Sequence, residues 1–159
     1  GDAFDGGACA MKTRLLFLLA AASLCGLPPR GVDAHPNARF YRGDVTVSTS
    51  WEGVIRLTGK LVIREGVTVT VDPGTEVLVQ PGAENDIEVR GRLLVRGIPE
   101  KPVLFDTAGG CAAGPWGGIR FRPGSAGVFE HARVRCAGGG LRGDLAGVTR
   151  AGLVIEAGR

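Results

Sequence analysis

The stretch that decides the fold is GVTVTVDPGTEVLVQPG, residues 66–82. Apolar residues alternate with polar ones before the turn sequence DPG at 72–74, and a second turn sequence, QPG at 80–82, ends the stretch. Alternation of this kind is typical of β-strands, and Pro-Gly pairs are typical of turns. The stretch therefore predicts two short strands joined by a tight turn.

The same alternation continues on both sides of this stretch, from Asp44 to the end of the chain. From Asp44 onward, no segment has the dozen residues of helical apolar spacing that a core helix needs. The 159 residues include 27 glycines and 9 prolines but only 6% aromatic residues, which favours many short strands over a helical bundle. We therefore predict an all-β fold.

A short repeat narrows the topology. The sequence GKLVIR at 59–64 returns, with conservative changes, as GRLLVR at 91–96. Repetition at variable spacing is typical of a solenoid, in which each coil buries its apolar face on the next. The glycine corners suit coils stacked at about 4.8 Å, the separation of paired strands.

Three segments carry a family resemblance: the stretch at 66–82, IEVRGRLLVRGIPEKPVLFDTAG at 87–109, and WGGIRFRPGSAGVFEHARVRCAGGG at 116–140. Together they resemble the right-handed parallel β-helix repeats of exported bacterial proteins, which are pectate-lyase-like solenoids. At roughly 20 residues per coil, the resemblance implies a short β-helix of about five or six coils. The pattern occurs in adhesins and in polysaccharide-degrading enzymes alike, so it implies a fold more than a function.

The sequence also predicts export. Met11 begins MKTRLLFLLAAASLCGLPPRGVDAH, which has a basic start, an apolar run too short for a membrane span and small residues before a cleavage point. We expect a helical signal peptide at 11–34, cleaved between Ala34 and His35, and no stable membrane span afterwards. The protein would then be periplasmic, on the cell surface or secreted. The alternative is a lipidated Cys25, although Leu24 before it is larger than a lipoprotein signal prefers.

The remaining boundaries follow from these segments. Residues 1–10 are expected to lie upstream of the true start or to be non-native, 35–43 to be a linker or loose cap, and 44–159 to be the β-helix domain. The sequence LVIE at 153–156 looks like another strand with no cap after it. We therefore expect the domain to be truncated at its C-terminus, or its open coil ends to pair with another copy.

Two cysteines remain after the predicted cleavage, Cys111 and Cys136. In an oxidising compartment an even pair is a disulfide candidate, and the segment between them is about the length of one coil. The alternative is two buried thiols that never meet.

Four arginines are the candidate binding residues. Arg120 and Arg122 alternate with inward apolar residues, and Arg133 and Arg135 do the same further along the chain. If their strands were adjacent, the four guanidinium groups would form a stripe suited to the carboxylate or sulfate groups of an anionic polysaccharide. The alternative is a solvated face that keeps an exposed sheet from aggregating.

The sequence offers no catalytic residue, metal site or cofactor that we would assign. The carboxylates are dispersed, and the densest group is Glu84, Asp86 and Glu88. The net charge of +3 is too small to indicate nucleic acid. We predict an exported structural or surface-interaction module whose partner is a cell-surface or extracellular polysaccharide, or another copy of the chain. The alternatives are a fragment of a carbohydrate-active enzyme with catalytic coils beyond Arg159, and a weak anionic-glycan-binding module.

Overall fold

The structure is a computed structural model and describes residues 37–156. Within that range the chain forms fourteen strands and one 3₁₀ turn at Cys111–Ala113, and it contains no α-helix. The all-β prediction is therefore confirmed for the described residues. The strands are β1 (Arg39–Val45), β2 (Thr49–Trp51), β3 (Val54–Ile63), β4 (Thr68–Val71), β5 (Glu76–Val79), β6 (Gly82–Val89), β7 (Arg92–Arg96), β8 (Val103–Thr107), β9 (Trp116–Phe121), β10 (Ala126–Glu130), β11 (Ala132–Arg135), β12 (Leu141–Gly143), β13 (Val148–Ala151) and β14 (Val154–Glu156).

The strands form two curled sheets, and every pairing between these strands is parallel. A five-stranded sheet has the order β13-β10-β7-β4-β2. A nine-stranded sheet has the order β12-β9-β6-β3-β5-β8-β11-β14, with β1 also paired to β3. Because β3 lies in the middle, the larger sheet has two arms: the β6 arm (β6, β9 and β12) and the β8 arm (β5, β8, β11 and β14).

Successive strands join these three groups in rotation. After β3 the chain adds β4 to the five-stranded sheet, β5 to the β8 arm and β6 to the β6 arm, and the same order repeats through β14. From β2 onward, paired residues are 20 to 34 positions apart in the sequence, from Thr49 opposite Val69 to Arg92 opposite Ala126. Each strand therefore pairs with a distant strand and never with its neighbour in the chain.

The core contains alternate side chains from both sheets. In the stretch at 66–82, Val69 and Val71 of β4 and Val77 and Val79 of β5 are buried, as the alternation predicts. The largest fully buried side chains are Trp51, Trp116, Phe105, Phe121 and Phe129. Because both tryptophans are completely buried, neither ring is available to stack on an external ligand.

The sequence repeat does not correspond to the register of the sheets. Leu61 of the first copy lies in β3 and pairs with Ile87, whereas Leu93 of the second copy lies in the five-stranded sheet and pairs with Val69. The glycines that open the two copies also differ. A Cβ on Gly91 would lie 2.2 Å from the carbonyl oxygen of Val67, but a Cβ on Gly59 would meet nothing closer than 3.8 Å. The two copies are thus alike in sequence but occupy different places in the fold.

The N-terminal boundary differs from the expected one. β1 begins at Arg39, inside the segment 35–43 that the sequence analysis treats as a linker or loose cap, and it pairs with β3. The predicted signal peptide, its cleavage site at Ala34 and His35, and Cys25 lie outside the described residues.

Two neighbouring leucines on β7 test the alternation. Leu93 is fully buried, whereas Leu94 is only partly buried and faces outward. We expect Leu93→Ala to lower the free energy of unfolding by about 2–5 kcal/mol, because it removes buried methyl groups and leaves a cavity. Leu94→Ala is the matched control and should have a much smaller effect. Urea denaturation measures both, and equal losses would contradict the orientation of β7.

Candidate functional site

The structure does not bring the four candidate arginines together. Arg120 lies on β9, and Arg122 is the first residue after that strand, so both belong to the β6 arm. Arg133 and Arg135 lie on β11, on the β8 arm, and β6, β3, β5 and β8 separate β9 from β11 in the sheet. The single stripe expected from the sequence is therefore wrong. Its strands are too close in sequence to pair, because paired residues from β2 onward are at least 20 positions apart.

The β6 arm instead carries a dense group of charges. Asp86 and Glu88 alternate with the buried Ile87 and Val89 along β6, so their carboxylates lie on the outer face of the sheet. Basic side chains cover them so closely that Asp86 is 4% exposed and Glu88 1%. We call this group the β6-arm charge cluster; its members are Lys60, Asp86, Glu88, Arg90, Arg120, Arg122 and Arg142.

Glu88 accepts bonds from three of these basic residues. Arg122 binds it in a fork, with Nε 3.1 Å from Oε1 and Nη2 3.3 Å from Oε2. Arg90 Nε lies 2.7 Å from Oε1, and Lys60 Nζ lies 2.9 Å from Oε2. Charge-assisted bonds of this kind are short and directional. They hold the two arginine side chains in defined positions on the surface.

Asp86 is surrounded in the same way. Arg142 Nη2 lies 3.3 Å and Arg120 Nη2 3.4 Å from its Oδ2. Lys60 Nζ lies 3.7 Å from its Oδ1, which is ion-pair range but beyond hydrogen-bond distance. With two carboxylates and five basic groups, the cluster carries an excess of positive charge.

The cluster sets the protonation state of its most buried acid. Hydrogen bonding from Arg122 is the largest cause that lowers the pKa of Glu88, from 4.5 to about 2, with Lys60 and Arg90 adding to it against the opposing effect of burial. Glu88 in turn raises the pKa of Arg122. A carboxyl group with so low a pKa stays ionised near neutral pH and is poorly matched to general acid–base catalysis.

Sequence reasoning found only part of this cluster. It identified Glu84, Asp86 and Glu88 as the densest group of acids, but Glu84 is exposed and takes no part. Lys60 and Arg142 were not singled out, and they are 82 positions apart in the chain. The parallel register joins them, because β3, β6, β9 and β12 lie side by side. Nothing in the local sequence pattern signals that meeting.

The β8 arm holds the other two candidate arginines beside a shallow groove of about 600 Å³. Arg135 bridges Asp106 and Glu156, at 3.2 and 3.1 Å. Arg133 is exposed, and its side chain makes no hydrogen bond or ion pair within residues 37–156. Because Lys101 also lines this groove together with three glutamates, its charge is mixed rather than basic.

The structure confirms a disulfide between Cys111 and Cys136, with the two Cα atoms 5.2 Å apart. It connects the 3₁₀ turn before β9 to the residue after β11, across 25 positions of sequence. The Asp106 carboxylate lies close to both sulfur atoms. Because a disulfide sulfur is not a thiolate, this group does not form a cysteine metal site.

Removing the Glu88 charge tests the cluster. We expect Glu88→Gln to lower the free energy of unfolding at pH 7 by about 1–3 kcal/mol, because it weakens several charge-assisted bonds at once. Glu84→Gln on the same strand is the control and should be nearly neutral. The measurement is denaturant unfolding of both variants and the wild type.

The pH dependence of this difference has a defined sign. Because folding lowers the pKa of Glu88 from 4.5 to about 2, its contribution is fully present above about pH 4.5 and is lost as the pH falls toward 2. The gap between wild type and Glu88→Gln should therefore shrink over that range. A gap that stays constant down to pH 2 would contradict the cluster.

Reduction tests the disulfide. In the chain-entropy treatment, a crosslink across 25 positions contributes about 3–4 kcal/mol. We expect reductant to lower the unfolding midpoint of the wild type. The double variant Cys111→Ser, Cys136→Ser should already have the lower midpoint, and reductant should not change it further. A reductant effect that persists in the double variant would contradict this bond as its source.

Comparison with family models, with curated proteins and with solved structures finds no match to this chain. Among the described residues, no helix has the length and apolar character needed to cross a membrane. A proposal for the function therefore rests on the side chains of this chain and their geometry.

Proposed function

We propose that this chain is a short right-handed parallel β-helix that serves as a structural or surface-interaction module of an exported protein and needs no cofactor. The rotation of successive strands through three groups supports the fold, because a chain that coils in this way returns to each face once per turn. The parallel pairing and the shared apolar core support it too. The predicted signal sequence at 11–34 supports export.

The state of the outward carboxylates carries the functional part of the proposal. Asp86 and Glu88 are the least exposed acids among the described residues, and both are held in ion pairs by basic neighbours. With its pKa lowered to about 2, Glu88 neither donates nor accepts a proton near neutral pH. Their arrangement suits a rigid, charged surface better than it suits a proton-transfer site.

The surface itself favours an interaction role. Strands that stack in register place equivalent side chains in rows along the outside of the sheet, at the regular spacing of the backbone ladder. One row of the β6 arm runs through Val62, Glu88, Arg120 and Arg142. A fixed row of charges is suited to recognising a partner that is itself extended or repetitive.

The proposal is tested on protein produced from Met11 in a secreting bacterium, whose N-terminal residue should be His35. We expect no reducing ends and no unsaturated products from a panel of neutral and acidic polysaccharides. We also expect the same unfolding temperature with and without EDTA, since no metal contributes to the fold.

Three results would contradict this proposal. Steady release of product that survives further purification would make the chain an enzyme. A fall in unfolding temperature with EDTA would indicate a structural metal. Retention of the protein in the cytoplasm with residues 11–34 intact would contradict the proposal that the protein is exported.

A further inference from the structure

We infer that the corner between the β6 arm and the five-stranded sheet is a binding groove for sulfate or phosphate groups carried on a saccharide. It lies over the turns that connect β3 to β4, β6 to β7 and β9 to β10. The groove has a volume of about 630 Å³ and is continuous with a smaller one of about 300 Å³ through shared lining residues. The inference rests on the proposed function, because it names the partner of that interaction surface.

Missing side chains open the groove. Gly66 and Gly124 line it and have positive φ angles of 76° and 82°. No atom of the described part of the chain lies within 4 Å of where a Cβ would be on either glycine. Gly91, between them, has no room for a Cβ because the carbonyl oxygens of Arg64 and Val67, in the turn between β3 and β4, lie against it. The floor of the groove is therefore main chain, which lets a ligand approach closely.

Three arginines line this space. Arg90 and Arg122 follow the ends of neighbouring parallel strands, since their amide groups donate to the carbonyls of Ile63 and Val89 at 2.9 Å. Their backbones are thus stacked about 4.8 Å apart. Arg92, the first residue of β7, lines the larger groove on its other side. Among the described residues that line the two grooves, Glu65 is the one acid, so the balance of these residues is positive.

The charge cluster prepares two of these arginines for a ligand. The Glu88 carboxylate accepts hydrogen bonds from Nε of Arg90 and from Nε and Nη2 of Arg122. Both Nη atoms of Arg90 and Nη1 of Arg122 have no hydrogen bond within residues 37–156. Arg92 is exposed and makes no side-chain hydrogen bond or ion pair in the same range. Glu88 therefore anchors the guanidinium groups of Arg90 and Arg122, and each group keeps N–H donors that can bind an anion.

The arrangement favours a tetrahedral oxyanion. Donors that come from three arginines on two sides of a groove match a group with oxygens in several directions, whereas a planar carboxylate pairs best with a single guanidinium fork. Glu65 and the hydroxyl of Thr68 also line the groove and can bond to sugar hydroxyls. Because Glu65 lies beside the arginines, a second anionic group next to the bound one would face a carboxylate, so the geometry points to a saccharide with separated charges.

Binding is measured with the full chain by titration calorimetry at low salt. The probes are dextran sulfate, dextran phosphate and carboxymethyl dextran of the same low degree of substitution, with uncharged dextran and inorganic polyphosphate. We expect dextran sulfate or dextran phosphate to bind more tightly than the other three. The comparison of these two decides which oxyanion the groove prefers. Tighter binding of polyphosphate or carboxymethyl dextran would overturn the inference.

Arg92→Ser is the decisive variant, because the Arg92 side chain has no bonding partner among residues 37–156 and its loss leaves the charge cluster intact. We expect it to weaken binding about tenfold, the effect of losing one charge-assisted hydrogen bond. Arg150→Ser is the control, since Arg150 is also exposed on the five-stranded sheet but does not line the groove. It should change the affinity by less than about twofold. Arg92→Lys should restore part of the binding, because it returns the charge without the fork.

The outcomes separate this inference from the proposed function. Equal weakening by Arg92→Ser and Arg150→Ser would mean attraction by net charge alone and would overturn the groove. A wild-type chain that unfolds cooperatively but binds neither charged dextran derivative would overturn the groove and leave the scaffold proposal standing. Cleavage of a bound polysaccharide, with Arg92→Ser still selectively weakened, would overturn the non-catalytic function and keep the groove.

Discussion

The parallel backbone ladder between strands that are distant in the sequence is the constraint on which the rest of this structure depends. In every pairing among β2 to β14, the partner residues are 20 or more positions apart in the sequence. Once that ladder is in register, side chains at paired positions stack in rows. Alternate rows point into the core and toward the outer face. A shift of one residue would move Val69 and Val71 out of the core and bring the polar Thr68 and Thr70 into it.

The charge cluster on the β6 arm is a consequence of that stacking. Asp86 and Glu88 are on the outer face only because Ile87 and Val89 are on the inner one. Neighbouring strands then supply basic side chains at the same level, so the acids become covered without entering the core. This explains how a carboxylate can be 1% exposed and still have a pKa near 2, since the basic groups that cover Glu88 also stabilise its charge.

The same arrangement connects stability to recognition. Arg90 and Arg122 are held by Glu88 through one side of each guanidinium group, and the other side borders the corner groove. An anchored arginine loses less freedom when it binds a ligand than a mobile one does. In the proposals made above, the same outer surface therefore stabilises the scaffold through its ion pairs and offers arginine donors to a partner.

The sequence alone determined the strand content, because alternation with period two appears in each local segment and needs no distant partner. It also indicated the Cys111–Cys136 pair. One of its longer-range expectations was wrong, because the four arginines do not form one stripe. The repeat at 59–64 and 91–96 indicated repetition but not which strands pair.

Only the tertiary structure decided which strands are neighbours, and therefore that Lys60 and Arg142 meet around Asp86. The physical reason is that turns of variable length set the register between strands. Among β2 to β14 the spacing between paired residues ranges from 20 to 34 positions, and no single repeat length in the sequence reveals it.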